Sequence, residues 1–490
     1  MKDNPTQIDG SSNAVRRRSM LKLTGASLAT FGLAGCSGNG STDDGGSTPT
    51  ETESSIDTPT PGDESTDLSD VSIDYWNTVN VQSRKAKAVS QALISAFTKN
   101  TGAEVNMNWT GYGGVIGAKW KTSFSQGNYP VLYDSTSAWD GQFQEWIHPF
   151  SEYQDQFSDD FLSAIEWYTP LAKEQWNGFG KDVIYEVPLG FSVQVPFVAR
   201  MDHFDEAGLS RDRFPPKDYD DLIDIATTLQ NDGPGEYGYQ IHGTKFDAFD
   251  ARAPSLVSDV GGEEGTFLND DWSDTYWDNE AYKTGVRRWV EIFTEHELSG
   301  PGTPTHDDES MVQEIVSGRC SMTGGDFLNH PNFLDAAPEM MANGDIQWGA
   351  MWQGGTSDTP SAGFIRPLTF GITKPPEGAD SAAWEKQQQA AIELIKYFTS
   401  KSNQRALFEN FGLMPIRDDV WSDLPSKSHN VYSAAKTMAE NTEMLWEAHP
   451  ATVSMQYNVP GPELQKALKG QISPAQACDN VAETIRNDFL

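Results

Sequence analysis

From Val71 onward the apolar residues switch repeatedly between a two-residue and a helical period, and this alternation constrains the fold more than any other feature. Val71–Trp76 alternates as a short strand, and Ala86–Lys99 carries Val89, Leu93, Ile94 and Phe97 at helical spacing. Thr101-Gly102 closes that helix, and Ala103–Trp109 alternates again. Val115–Phe124 reads as a second helix closed by Gly127, and Tyr129–Tyr133 as a third strand. Strands separated by helices predict an α/β fold with a parallel sheet, whose ligand sites lie beyond the carboxyl ends of the strands. The pattern continues with strand-like Val183–Pro188 and Val195–Arg200 and with a helix over Asp218–Leu229. Helical stretches follow at Trp384–Thr399, Asn403–Phe411, Pro462–Lys469 and Pro474–Asn487. No internal repeat or second low-complexity linker interrupts residues 71–490, which predicts one continuous assembly of two lobes.

The first 70 residues are of another kind. Arg16, Arg17 and Arg18 precede an apolar, small-residue stretch from Leu21 to Leu33, shorter than the roughly 20 residues a spanning helix needs. Arg17–Lys22 resembles a twin-arginine export motif with Met20 in the usual Phe position, and Leu33–Cys36 resembles a lipobox. The expectation is a signal peptide over residues 1–35 and lipidation at Cys36. Residues 36–70 hold almost no large apolar side chain and no Lys or Arg, which predicts a disordered Ser/Thr/Asp/Pro-rich tether. Only Cys320 and Cys478 remain in the folded part, as two buried thiols or one disulfide.

Catalytic and metal signatures are missing from the residues themselves. No G-x-S-x-G and no H-E-x-x-H occurs, and the eight His are scattered. His306-Asp307-Asp308-Glu309 reads as an acidic helix start rather than a metal knot. Asp271, Asp274 and Asp278 lack the turn glycine and closing Glu of a calcium loop. Gly111–Gly117 misses G-x-G-x-x-G by one residue and reads as a loop opening a helix. The expectation is a chain that is not an enzyme and needs neither cofactor nor metal. The functional signal is aromatic and polar residues at predicted strand ends: Trp76-Asn77-Thr78 after the first and Asp134–Trp139 after the third. Aromatic faces stack on the C–H faces of sugars while Asn, Asp and Ser orient the hydroxyls.

Pro188–Ser192 running into Val195–Phe204 and Glu206–Leu209, the helix start at Phe214–Leu222, and Gly318–Asp326 follow one another in a familiar order. So do Ala390–Phe398, Ser400, Gln404, Leu413–Arg417 and Gly470–Ala475. Together they resemble the extracellular solute-binding protein family 1, which includes maltose-binding-like receptors of ABC importers. The family's usual Pro-Asp after the second helix is Pro130-Val131 here. The resemblance implies a two-lobed, type II periplasmic-binding-protein-like fold, each lobe a mixed, mainly parallel sheet flanked by helices and joined by hinge strands. Its lobes would take residues 71–188 with 367–425, and 189–366 with 426–490. By position, Trp76, Asn77, Thr136, Trp139, Ser192, Asp326, Phe327 and Tyr457 would face the cleft, with Tyr457 stacking on a sugar. No basic residue belongs to that set, which disfavours anionic solutes.

The implied protein is a monomeric lipid-anchored receptor on the outer face of the cell membrane. It would hand a neutral, sugar-like solute to the transmembrane subunits of an ABC permease. A secreted carbohydrate-active enzyme and a surface receptor for signalling are the alternatives, the first requiring a carboxylate pair about 5–9.5 Å apart.

A formal net charge of −36 excludes nucleic acid as a partner, because phosphate backbones reward Lys and Arg. The first 35 residues carry five of the 35 Lys and Arg but two of the 71 Asp and Glu, so the remainder is more acidic still. The excess resembles that of haloarchaeal proteins, in which salt near 1 M screens repulsion to about 3 Å. Dialysis to low salt is expected to abolish the fold or ligand binding; circular dichroism showing full stability there contradicts the halophilic reading.

Overall fold

The computed structural model describes residues 67–78, 84–110, 114–176, 183–244, 271–351, 365–421, 430–441 and 448–490, with Phe179, Leu268–Asn269 and Leu424. The export segment, Cys36 and the tether as far as residue 66 lie outside the described residues, as do Gly111–Gly113. Leu68 is already packed: its side chain is buried and its N–H donates to Thr101 O at 2.9 Å. The ordered body therefore starts ahead of the compositional break at Val71, because one apolar side chain suffices to seat a polar segment against a helix end.

Nine strands are described: β1 (Ser72–Asn77), β2 (Glu104–Trp109), β3 (Leu132–Thr136), β4 (Val187–Arg200), β5 (Tyr237–Gln240), β6 (Cys320–Asp326), β7 (Ile346–Gly349), β8 (Ile365–Ile372) and β9 (Met414–Pro415). They follow the order β2-β1-β3-β8-β4-β6-β5, with β7 and β9 also on β4. β1 is parallel to β2 and β3, and β5 to β6, while β8 and β4 run antiparallel to their neighbours. The mixed α/β architecture with helix-covered faces follows from the sequence pattern. β6 and β8 are buried along their whole length, as central strands covered on both faces must be. β2 lies at the end of the order, and its residues alternate exposed and half-buried.

The two strand-like segments predicted at Val183–Pro188 and Val195–Arg200 are one strand, beginning only at Val187. Its first half pairs with β8 and β9, its second half with β6 and β7. The exchange occurs at a register shift between Gln194 and Phe197, where Val195 has a φ of 64°. A β-branched residue in the left-handed region costs roughly 1–3 kcal/mol and persists only where its surroundings enforce it. The third strand runs on to Thr136 rather than ending at Tyr133, so Asp134, Ser135 and Thr136 are buried strand residues, not a strand-end loop.

Aspartates cap the helices. Asp218 accepts from Asp221 N at 2.8 Å, Asp307 from Ser310 N at 2.9 Å, and Asp380 from Ala382 N at 3.0 Å. The acidic knot at His306–Glu309 is thus a helix start, its charge near the positive end of the dipole. Asp274 and Asp278 clasp the Arg486 guanidinium at 2.6 and 2.7 Å, so the positive charge facing those acids comes from a side chain. Cys320 and Cys478 are free, buried thiols, and burial raises both to about 12.

One buried amide ties the start of β4 to the chain that returns to it. Gln404 Nε2 donates to Leu189 O at 2.6 Å and to Phe398 O at 3.2 Å, and its Oε1 accepts from Ile416 N at 2.9 Å. Gln404→Ala strands a buried carbonyl and a buried N–H, and is expected to cost about 2–4 kcal/mol in urea denaturation. A loss under about 1 kcal/mol would show that the clamp is redundant.

Candidate functional site

The carboxyl ends of β1, β3 and β6 carry three groups of residues, the position at which open α/β sheets hold their ligands. Beyond β1 and within β3, the buried Asp134 carboxylate accepts from Tyr75 Oη, from Thr78 N at 2.8 Å and from Thr78 Oγ1 at 2.9 Å. Asn77 Nδ2 donates to Tyr75 Oη at 2.8 Å. Burial, and then the Asp134 charge, push the Tyr75 phenol well above its ordinary range, so it stays a donor. This network fixes the turn after β1.

The second group follows β3. The short helix Ser137–Asp140 presents Trp139, whose Nε1 donates to Gln456 Oε1 at 2.9 Å. The ring meets Tyr457 edge to face at 5.9 Å between centroids and 73° between planes. Gln456 and Tyr457 belong to a π-helical turn, Ser454–Asn458. Such turns are wider than α-helix and frequently mark functional positions.

The third group joins the two halves of β4. Ser192 Oγ donates to Asp326 Oδ1 at 2.5 Å, and Arg366 lies 3.2 Å from Asp326 Oδ2. Leu328 N also donates to Asp326 Oδ1 at 2.9 Å. All three side chains are buried. Ser192 pairs with Arg366 and Thr136 with Leu368 across β8, so Thr136 and Ser192 project from the same face of the sheet. Thr136 Oγ1 has no hydrogen-bond partner among the described residues.

Six of the eight residues expected at a cleft therefore gather at these strand ends: Asn77, Thr136, Trp139, Ser192, Asp326 and Tyr457. The other two pack elsewhere. Trp76 lies against Trp120 and Phe124 at 5.3 and 6.4 Å, and Phe327 is buried and stacked on Trp348 at 5.2 Å. Arg366 and Gln456 were not legible as site residues, since nothing in their local sequence marks them. Arg366 stands beside this set as a basic residue whose charge Asp326 balances.

Two concavities lie among the described residues. A cavity of about 10 Å³, room for about one water, adjoins Val195, Tyr239, His242, Trp289 and Gly324 at the carboxyl end of β5. A wider hollow of about 530 Å³ lies between Phe157, Phe161, Lys401 and Arg417, away from the strand ends. Its cations are already paired, Lys401 with Asp419 at 2.8 Å and Arg417 with Asp160 at 2.5 Å. The strand-end groups are the better candidate by position, since they stand at the carboxyl ends of β1, β3 and β6.

Asp326→Ala leaves Arg366 buried without its counter-charge and is expected to cost about 3–5 kcal/mol. Chemical denaturation checks this, and a loss below about 1 kcal/mol would mean that Arg366 finds another partner.

The profile of the family described as bacterial extracellular solute-binding protein matches residues 82–405. An erythritol/L-threitol-binding protein of Mycolicibacterium smegmatis is 21% identical over 268 residues. That match covers 52% of this chain and 54% of the relative, so the chain spans about half the length of the curated relative it matches. Among solved structures, maltose-bound MalE3 of T. maritima shares the fold with a TM-score of 0.68 at 16% identity, over 85% of this chain and 99% of that one. An ABC transporter solute-binding protein of Agrobacterium radiobacter K84 in complex with ribitol gives 0.67 at 18% identity, over 86% of this chain and 100% of that one.

Proposed function

The chain belongs to the bacterial extracellular solute-binding protein family, and from that premise we propose that it captures a neutral sugar, oligosaccharide or polyol between two lobes and delivers it to an ABC permease. The observation that carries this reading is the gathering of Thr136, Trp139, Ser192 and Tyr457 at the carboxyl ends of β3 and β6 and on the turn beside them. Hydroxyls on one sheet face with a pair of aromatic rings nearby suit a ligand of alternating C–H and O–H surfaces. The internal balance of Arg366 by Asp326 favours an uncharged solute over an anion. Relatives of the same fold with maltose and with ribitol bound support both the sugar and the polyol arm.

The lobes are proposed as residues 71–188 with 367–425 and 189–366 with 426–490, closing about β4, and the ligand-free lobes as sampling the closed state that solute then favours. The protein works as a monomer outside the cell, held by a lipid on Cys36 through the tether 36–70 after export by the twin-arginine route. Its acid excess suits a haloarchaeal, high-salt setting.

Calorimetric titration of the full chain in molar salt with maltose, ribitol and erythritol tests the ligand class. Saturable one-to-one binding of at least one, with the solute recovered unchanged, is expected; Trp139→Ala should weaken it about tenfold or more, the scale of one lost aromatic contact of roughly 1.5 kcal/mol. Absence of heat with every sugar and polyol tried overturns the assignment.

A further inference from the structure

Next to the Trp139–Tyr457 contact lie two acids that the proposed solute site does not use. Asp140 and Glu186 are each 1% exposed or less, and their carboxyls interact with one another. Glu186 Oε2 accepts from Trp176 Nε1 at 2.9 Å. Glu186 Oε1 receives no other N–H or O–H hydrogen bond among the described residues, and the donors beside the Asp140 carboxyl are the neutral Ser135 and Tyr133 hydroxyls. The influences on the pair are burial, each other, Asp134, the Ser135 and Tyr133 hydroxyls and the Trp176 indole; none is a cation. Two ionised carboxylates side by side and out of water repel, and the Trp176 indole with the Ser135 and Tyr133 hydroxyls, all neutral donors, does not offset that cost. A proton held between them removes the repulsion and gives the unpartnered oxygen a bond.

The pair sits where it bears on Trp139. Asp140 is the last residue of the four-residue helix that carries the indole. At the following Gly141 a Cβ would fall 1.7 Å from Ala448 O, so backbone meets backbone there. Ala448 N donates to Gln175 O at 2.9 Å, beside the Trp176 that holds Glu186. A second charge forced into this contact must draw in water, and the helix carrying Trp139 is too short to absorb the shift.

The surrounding groups leave the pair as the titrating element near neutral pH. β3 contributes Tyr133, raised well above its ordinary range by burial, and Asp134, already hydrogen-bonded. Tyr153 faces Glu186 and is likewise raised by burial, with the Glu152 charge adding to the effect. The Ala448 segment brings His449, which burial lowers to about 4 and so keeps neutral. Burial raises Asp140 to about 8 and raises Glu186 also. A carboxyl raised in the folded state holds a proton that the unfolded chain has released. Its contribution to stability is therefore full below about pH 4 and is lost as pH rises toward about 8.

We propose that Asp140 and Glu186 share a proton that positions Trp139, making stability and solute capture by this chain proton-linked. The proposal rests on Trp139 belonging to the solute site. Urea denaturation of the full chain in molar salt between about pH 7 and about pH 8 tests it first, with the unfolding constant expected to rise about fivefold for one linked proton that the folded chain releases near pH 8. In Glu186→Gln the amide donates to the Asp140 carboxylate and has no proton to lose, so the slope should flatten. Infrared difference spectra of the wild type over the same step should lose a protonated-carboxyl C=O band that the variant lacks. The fluorescence contributed by Trp139, taken as wild type minus Trp139→Phe, should shift with the band. Ribitol affinity should fall along the same curve in the wild type and not in Glu186→Gln. A flat wild-type profile without an acid band, or a variant keeping the wild-type slope, overturns the shared proton. A Trp139 signal that ignores the titration overturns the positioning role. If ribitol binds at no pH, the solute reading is what fails, and the denaturation, infrared and fluorescence readouts still decide this proposal.

Discussion

The structure depends on β4, a fourteen-residue strand that belongs to both halves of the sheet. Its first half is hydrogen-bonded to β8 and β9 and its second to β6 and β7. A strand can change neighbours in this way only if it bends where one ladder ends and the next begins. Val195 supplies the bend at the cost of a left-handed backbone, and Ser192, Asp326 and Arg366 cross-link the strands on either side of it. The arrangement therefore concentrates strain, a buried ion pair and the ends of several strands in one place. That is where a ligand would bear on the two lobes proposed above at once.

Buried charge is handled in two different ways. Arg366 and Asp326 neutralise each other, and two further donors, Ser192 Oγ and Leu328 N, satisfy the carboxylate, which is the condition for a buried pair to be tolerated. Asp134 is satisfied by Tyr75 and Thr78 without a counter-ion among those contacts. The many surface acids have other work. They cap helices at Asp218, Asp307 and Asp380, and they clasp the few arginines, as at Arg486. An acid excess of this size is thus compatible with an ordinary core, and its effect falls on solvation rather than on topology.

Much of the fold was legible because hydrophobic period reports burial directly. The helix at Pro474–Asp488 begins at the predicted residue, since Ser473 and Pro474 are start signals with a mechanism. Periodicity alone splits the long β4, because Gly190 and the region near Pro196 look like breaks; the family resemblance implies one strand running from Pro188 past Val195, and pairing on both sides carries it through. Asp134 was placed in a loop for a similar reason, because a polar residue reads as exposed until its three donors are known. Site residues were legible only where an aromatic or hydroxyl side chain stood at a strand end. Arg366 and Gln456 become visible only through partners 40 and 317 positions away, Asp326 and Trp139. Trp76, also at a strand end, is half-buried and lies against an aromatic cluster of Trp120 and Phe124.

The proposed function requires the solute to be held at the carboxyl ends of β1, β3 and β6, where the two halves of β4 meet. A crystal structure of the full chain grown in molar salt with whichever sugar or polyol binds tests it most directly. Density for the solute is expected within hydrogen-bond distance of Thr136 or Ser192 and in van der Waals contact with Trp139 or Tyr457. Solute seated instead in the hollow beside Phe157 and Arg417, with the strand ends empty, would contradict it.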